Sequence, residues 1–197
     1  MDEETKKFLV SSKNVEIFAS KNLIKEFDYS LPGSGVWKAI ERELNASIIC
    51  HLRRSRNIVN DDPWVTLRHH SEEVNIFTNA KGRKVNLNRR EKSGSPQLGG
   101  VMLGEIAHIL LFGDHNGVND DFDAVGLTPE MVEFLMCELP KNIIKVSSFR
   151  NKNAHISAMS KKDYFHLSKL VLGDEDEPKK SLLGRILSLK QELSSIR

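Results

Sequence analysis

The sequence contains little cysteine, with only Cys50 and Cys137 among its 197 residues. Two cysteines cannot build the disulfide framework of a small secreted protein, and both stand in apolar, helix-like surroundings, so we expect reduced, buried thiols. Neither cysteine has a partner at the spacing of a zinc site, and His69–His70 has no carboxylate or cysteine at ligand spacing. The sequence therefore predicts no metal site, and we expect no cofactor.

Long apolar runs are also missing. The first ten residues are rich in charge and hold no signal-peptide core, and the longest apolar stretch, around Ile106 to Phe112, is too short to cross a bilayer. These two features predict a cytoplasmic protein that makes no contact with a membrane.

Charge of one sign is not in excess, because 29 Lys and Arg residues stand against 27 Asp and Glu residues, for a net charge of +2. This balance excludes a protein that binds nucleic acid through bulk charge, although it leaves room for a local basic surface. A phosphate-binding glycine loop is excluded as well. The segment Leu31–Gly35 is predicted to be a turn, and it lacks the Gly-Lys-Ser/Thr ending of such loops.

Apolar residues recur at helical spacing over most of the chain. The first long helix is predicted from Val36 to about Arg56, and a polar insertion, about residues 64–98, follows it with a possible β-hairpin. The other predicted helices are Asn22–Phe27, Leu98–Phe112, Thr128 to about Leu139, Lys141–His155, Lys161–Leu172 and the tail 179–197. The fold class is therefore mainly α, an up-and-down helical bundle. We expect one domain over residues 1–173, an acidic linker at 174–178 and a C-terminal amphipathic helix at 179–197.

One segment, Phe149–His155, combines groups that metal-free RNA cleavage requires. His155 titrates near neutrality and can transfer protons, and the guanidinium of Arg150 matches two phosphoryl oxygens. Asn151 adds a hydrogen-bonding amide that can orient the other groups. On a helix, Arg150 and His155 lie roughly 140° apart around the axis, so one copy aims them only loosely at one phosphate. We therefore expect a homodimer whose two copies share a cleft.

The stretch Arg150–His155 resembles the Arg-x(4–6)-His signature of the HEPN superfamily, including its frequent polar residue after the arginine. The Trp-containing first helix with Glu41–Leu44, the segment Leu103–Ala107 and the Ser160-capped helix are similar to other parts of the family, so the resemblance covers roughly residues 36–172. It implies a HEPN-like helical bundle that dimerises and a metal-independent endoribonuclease, often a toxin or an antiviral-defence effector. It also implies catalytic roles for Arg150 and His155, with Asn151 in support.

One position departs from the family pattern. In HEPN toxins that are paired with a nucleotidyltransferase antitoxin, a tyrosine often stands two residues after the histidine, whereas this chain has Ser157. Control by modification of that tyrosine is therefore not expected. A regulatory protein or antitoxin encoded elsewhere remains a possible partner.

Cations cluster in the insertion and at the end of the first long helix. A phosphate-binding surface for RNA is one interpretation, and a solvated loop is the other. The residues predicted to bind RNA are Lys152, Arg53, Arg54, Arg83, Lys84, Arg89 and Arg90. Two alternatives to the nuclease also stay open: a non-catalytic HEPN-like module that dimerises or docks a partner, and a nucleic-acid-binding regulator.

Overall fold

The chain is mainly helical, with one small antiparallel sheet. The structure is a computed structural model that describes residues 1–22, 27–60, 62, 64–66, 76–78, 84–92, 95–113, 117–123, 125–155, 157–174 and 176–195, with the backbone alone at 76 and 152–155. Its helices are α1 (Glu3–Lys21), α2 (Ser30–Leu44), α3 (Cys50–Ser55), α4 (Leu103–Leu111), α5 (Val118–Asp123), α6 (Pro129–Glu133), α7 (Leu139–His155), α8 (Lys161–Leu172) and α9 (Leu182–Ser195). Asn45–Ile49 and Phe134–Glu138 form π-helical turns, and Pro178–Lys180 is a short 3₁₀ helix. Within the described helices, none has the length and apolar character needed to cross a membrane.

The predicted hairpin is present in the insertion. Strand β1 (Ile76–Thr78) pairs antiparallel with β2 (Lys84–Asn86), and Phe77 lies opposite Val85. Both of these side chains are buried. The hairpin was predicted from two short apolar runs on either side of a polar, glycine-containing stretch. In the structure these two runs do pair as strands.

The chain divides into two compact units, neither of which matches the predicted domain limits. One comprises Met1–Glu43 and Asn142–Ser188, and the other comprises Leu44–Lys141 and Leu189–Arg197. The predicted C-terminal helix is thus divided between the two units at Ser188. In α9, Leu183 and Ile186 belong to the first unit and are buried. Their burial is expected, because the apolar stripe of an amphipathic helix packs against the core.

Helix α1 was not predicted: within residues 1–30 only a short helix around Asn22–Phe27 was predicted, and residues 23–26 of that stretch lie outside the described residues. Asp2 caps it by accepting a hydrogen bond from the Glu4 N–H at 2.9 Å, and the same carboxylate pairs with Arg42 on α2. The buried positions of α1 are Thr5, Ser12 and Ala19, seven residues apart and small. Because these three buried residues are not large and apolar, the buried face of α1 does not stand out as a hydrophobic stripe in the sequence. The spacing of apolar residues therefore did not predict this helix.

Helix α2 begins at Ser30, and the segment predicted as a turn is its first part. Pro32 falls in the first turn, where its missing N–H would have no helical partner anyway. At Gly35, an added Cβ would lie 2.5 Å from the Phe8 carbonyl oxygen and 2.8 Å from Ser12 Cβ, so the two helix backbones approach closely here. The Ser12 hydroxyl also donates to the Pro32 carbonyl at 2.7 Å. This glycine serves helix packing rather than a turn.

In the second unit, polar side chains hold the stretch after the hairpin. The buried amide of Asn45 donates to the Val101 carbonyl and accepts from the Val101 N–H, both at 2.8 Å. Arg56 pairs with Asp121 at 2.6 Å and lies over the Phe77 ring at 4.5 Å, which ties α3 to α5 and β1. One cysteine also differs from expectation: Cys50 is buried, but Cys137 is exposed.

Candidate functional site

The Arg150–His155 motif occupies the last turns of α7. The backbone is helical through His155, so the separation of roughly 140° between Arg150 and His155 around the axis applies here. Arg150 is half-buried, and Asn151 is exposed. The side chains of Lys152 and His155 lie outside the described residues. The helix therefore carries Arg150 and His155 on different sides.

The chain that follows the motif is fixed to the start of α2 within the first unit. The Met159 N–H donates to Asp28 Oδ1 at 2.9 Å and lies 3.1 Å from Ser30 Oγ. In return, the Tyr29 N–H donates to the Met159 carbonyl at 3.0 Å. Met159 and Tyr29 are both buried. This exchange of hydrogen bonds, which we call the Asp28 clamp, holds the segment four residues beyond His155.

The Asp28 clamp depends on an ionised carboxylate. Burial alone would raise the pKa of Asp28, but hydrogen bonds from the Ser30 hydroxyl, the Ser30 N–H and the Met159 N–H lower the pKa below its ordinary value. The group is therefore charged at neutral pH and accepts all three donors. Sequence analysis did not find this residue because Met159 stands 131 positions away. The only local signal is the Asp-x-Ser spacing ahead of a helix, which favours a side-chain turn.

Helix α8 begins directly after the clamp, as predicted. Ser160 is its N-cap, and its hydroxyl accepts a hydrogen bond from the Asp163 N–H at 3.0 Å. Tyr164, the tyrosine nearest to the motif in sequence, is buried, and its hydroxyl donates to Glu16 at 3.1 Å. Tyr164 therefore does not replace the tyrosine that the family pattern places two residues after the histidine.

The prediction for Arg53 has to be corrected. Its side chain is 0% exposed, its Nε–H donates to the Leu87 carbonyl at 3.1 Å, and its Nη2 donates to the Gly99 carbonyl at 2.7 Å. Burial lowers the pKa of Arg53 to about 10, so the guanidinium stays charged at neutral pH. A side chain without exposed surface cannot contact RNA, and Arg53 instead joins α3 to the two ends of the stretch after the hairpin.

Three of the other predicted RNA-binding cations have protein partners. Arg54 donates through Nε to the Asn60 carbonyl at 3.1 Å, and it is half-buried. Arg89 is exposed but pairs with Glu105 at 3.4 Å and donates to the Gly100 carbonyl. Arg90 donates to the Ser95 carbonyl at 2.6 Å. The Glu105 carboxylate offsets the charge of Arg89, whereas the backbone carbonyls orient the guanidiniums of Arg54 and Arg90 and leave them positive.

Lys84 on β2 is exposed, whereas Arg83 falls outside the described residues. The structure thus places the predicted RNA-binding residues on several elements: Arg53 and Arg54 on α3, Lys84 on β2, Arg89 and Arg90 after β2, and Lys152 on α7. Arg54, Lys84, Arg89 and Arg90 belong to the second unit, while the motif on α7 belongs to the first.

Among the described side chains, no group of three or more His, Cys, Asp or Glu residues is arranged to hold a metal ion. Comparison of the whole chain with protein-family models, with curated proteins and with solved structures finds no match.

Proposed function

We propose that the chain is a metal-independent endoribonuclease of HEPN type, with a composite site at a homodimer interface, and that it acts as a toxin or antiviral-defence effector. The observation that carries the proposal is the position of Arg150, Asn151 and His155 on the last turns of α7, directly before the Asp28 clamp and the capped helix α8. The mainly helical architecture is consistent with it.

The proposed reaction needs only side-chain chemistry. The ribose 2′-hydroxyl attacks the adjacent phosphorus as His155 moves a proton, and the bond to the leaving 5′-oxygen breaks as that oxygen gains a proton. Arg150 stabilises the extra negative charge on the phosphoryl oxygens, and Asn151 orients a reacting group by hydrogen bonding. The products are a 2′,3′-cyclic phosphate end and a 5′-hydroxyl end.

Helix geometry is the reason for placing the site between two copies. Since Arg150 and His155 diverge by roughly 140° around α7, one copy does not direct both side chains to the same phosphate. A two-fold axis near the end of α7 would bring two copies of each residue into one cleft. In that cleft, Arg150 of one copy can serve His155 of the other.

The clamp explains how such a site would be held. Catalytic side chains act only when their element is fixed to within about an ångström of the productive geometry. The hydrogen bonds of Met159 and Tyr29 fix the chain at Met159, four residues beyond the end of α7.

The experiment that tests the proposal is RNA cleavage in the presence of EDTA. The wild-type protein should cut RNA and leave cyclic-phosphate ends, while Arg150→Ala and His155→Ala should each lose about a hundredfold or more in rate. Lys145→Ala is the matched control, because Lys145 is exposed on the same helix and outside the motif. Its rate should equal that of the wild type.

Three results would count against this function. Cleavage that persists in both motif variants would remove Arg150 and His155 from the site. Cleavage that requires a divalent cation would contradict the metal-independent chemistry. The absence of cleavage with tRNA, mRNA and phage transcripts alike would favour the non-catalytic docking module.

A further inference from the structure

A mostly apolar cavity of about 480 Å³ lies in the second unit, apart from the Arg150–His155 motif. Its wall is formed by the end of α4 and the chain after it, by α5, by the chain between α5 and α6, and by α6 with its π-helical turn. The volume falls within the range of small-molecule sites, about 300–1,000 Å³. No step of the nuclease mechanism uses this cavity.

The wall has a buried interior and an exposed mouth. Leu110, Phe122 and Leu135 are buried, while Leu111 on α4 and Val132 on α6 are 45% and 43% exposed. Because apolar side chains hold water poorly, an apolar group that displaces water from this cavity gains free energy. The wall therefore favours a ligand whose body is apolar.

Two helical faces form most of this wall. Helix α5 contributes residues 119, 122 and 123, and α6 with its π-helical turn contributes residues 132, 135 and 136. Both sets have the i, i+3, i+4 spacing of residues that lie on one side of a helix. Because regular elements hold their side chains more precisely than loops do, the wall has a defined shape.

The wall contains one carboxylate, that of Asp123, which is exposed. None of the lining residues that the structure describes is a lysine or an arginine. Asp121, two residues earlier on α5, is paired with Arg56 at 2.6 Å, whereas no described side chain forms an ion pair with Asp123. The charge of the wall is therefore negative.

The surrounding sequence carries charge of the same sign. Residues 93–140 contain eight carboxylates and no lysine or arginine, although the whole chain has a net charge of +2. Of these carboxylates, Glu105 and Asp121 are paired with arginines, while Asp120 and Glu133, each next to a lining residue in sequence, are exposed. Because a cleft surrounded by charges of one sign attracts ions of the opposite sign, this cavity favours a cation.

We propose that this cavity binds a small organic cation, a molecule with an apolar body and one protonated amine. The body packs against the buried apolar side chains of the wall, and the ammonium group pairs with the Asp123 carboxylate. Because ion pairs at exposed carboxylates contribute little, the apolar wall supplies most of the affinity and Asp123 supplies the preference for positive charge. The proposal does not rest on the nuclease activity, since it uses no residue of the Arg150–His155 motif.

Calorimetric titration at neutral pH and constant ionic strength tests the proposal with three probes that share one apolar body: 4-phenylbutylamine, 4-phenylbutanol and 4-phenylbutanoate. We expect saturable binding of one 4-phenylbutylamine per chain, weaker binding of the alcohol, and binding of the carboxylate that is weaker than that of the amine by about fivefold or more. Butylamine, which has the charge without the ring, should show no measurable binding.

Variants then locate the site. Asp123→Asn should reduce the preference for the amine over the carboxylate to about twofold or less, and Glu91→Gln, at an exposed carboxylate of the same unit outside the cavity, should keep the wild-type preference. Val132→Trp places a larger side chain at the mouth and should weaken all three phenylbutyl probes by about fivefold or more. Val10→Trp is its matched control, since Val10 is exposed on α1 in the other unit. Circular dichroism confirms that each variant is folded.

Three outcomes overturn the proposal. The first is the absence of saturable 4-phenylbutylamine binding by the wild-type protein. The second is equal wild-type affinity for the amine and the carboxylate, which would show that charge plays no part. The third is equal affinity in Val132→Trp and Val10→Trp, which would place the binding outside this cavity. RNA cleavage by the wild-type protein is independent of all three, so failure here leaves the proposed nuclease function intact.

Discussion

The adjacent residues Arg53 and Arg54 show that the surroundings of a charged side chain determine whether it is buried or exposed. Consecutive helical residues are about 100° apart, so when Arg53 is directed to the interior its neighbour is directed elsewhere. Arg53 donates to carbonyl oxygens of residues 34 and 46 positions further along the chain, whereas the Nε of Arg54 donates to the carbonyl of Asn60, six positions away. Composition and charge patterns do not distinguish the two arginines, because the carbonyl groups that accept from Arg53 belong to residues far away in the sequence.

This difference predicts unequal effects of the same substitution on stability. Arg53→Ala removes donors from two carbonyls and leaves a cavity, so we expect a loss of about 3–5 kcal/mol in the free energy of unfolding. Arg54→Ala removes an exposed hydrogen bond to the Asn60 carbonyl and leaves no buried cavity, so it should cost about 1 kcal/mol or less. Urea denaturation of the two variants measures both values. Equal losses would contradict the structural role assigned to Arg53.

At the scale of elements, the close approach of α1 and α2 depends on the absence of a Cβ atom at Gly35. At Gly35 an added Cβ would meet the Phe8 carbonyl, which is backbone and cannot move without shifting α1. At Gly33, two residues earlier in the same helix, an added Cβ would meet Met159 Sδ at 2.8 Å, the far end of a flexible side chain. The two glycines therefore form a matched pair.

We expect Gly35→Ala to lower the free energy of unfolding by about 3 kcal/mol, because overpacking exceeds the gain of about 1 kcal/mol in helix propensity. Gly33→Ala should change it by no more than about 1 kcal/mol, since the methionine can adjust. Thermal and urea denaturation of both variants provide the measurement. A stable Gly35→Ala protein would mean that the helices do not approach as closely as described.

The elements that sequence analysis predicted are those with local signals. Helix α8 has the predicted bounds because Ser160 caps it and Gly173, with a φ of 73°, follows its end. The elements it misjudged depend on distant partners. Separate helices were predicted on the two sides of Pro140, Thr128 to about Leu139 and Lys141–His155, yet Pro140 is the second residue of α7, which follows the π-helical turn Phe134–Glu138 without a break. A wider turn accommodates the missing N–H and the proline ring without ending the helix.

The same distinction applies to the candidate site. The Arg150–His155 motif could be found because its residues are consecutive, and their helical backbone follows from the same stretch. The Asp28 clamp could not be found, since it joins residues 131 positions apart in sequence. Its geometry exists only after the chain has folded.

At the scale of the whole molecule, pairing inside the chain reduces the effect of the basic insertion. Arg53 is buried, Arg56 is paired with Asp121, and Arg89 is paired with Glu105. Ion pairs leave the net charge at +2, and so small a net charge gives little non-specific attraction for RNA. Under the proposed function, recognition must therefore come from the cleft that two copies form, and the assembly itself becomes the decisive test.

Mixing two inactive variants tests that assembly. A heterodimer of Arg150→Ala and His155→Ala retains one Arg150 and one His155, and these come from different copies. If the site is composite, co-expression of the two variants under different tags should yield a heterodimer whose cleavage rate is at least about tenfold above that of either homodimer. Lys145→Ala co-expressed with His155→Ala controls for the effect of tagging and exchange. An inactive heterodimer, purified through both tags and shown by mass spectrometry to contain both chains, would exclude a site in which Arg150 of one copy serves His155 of the other.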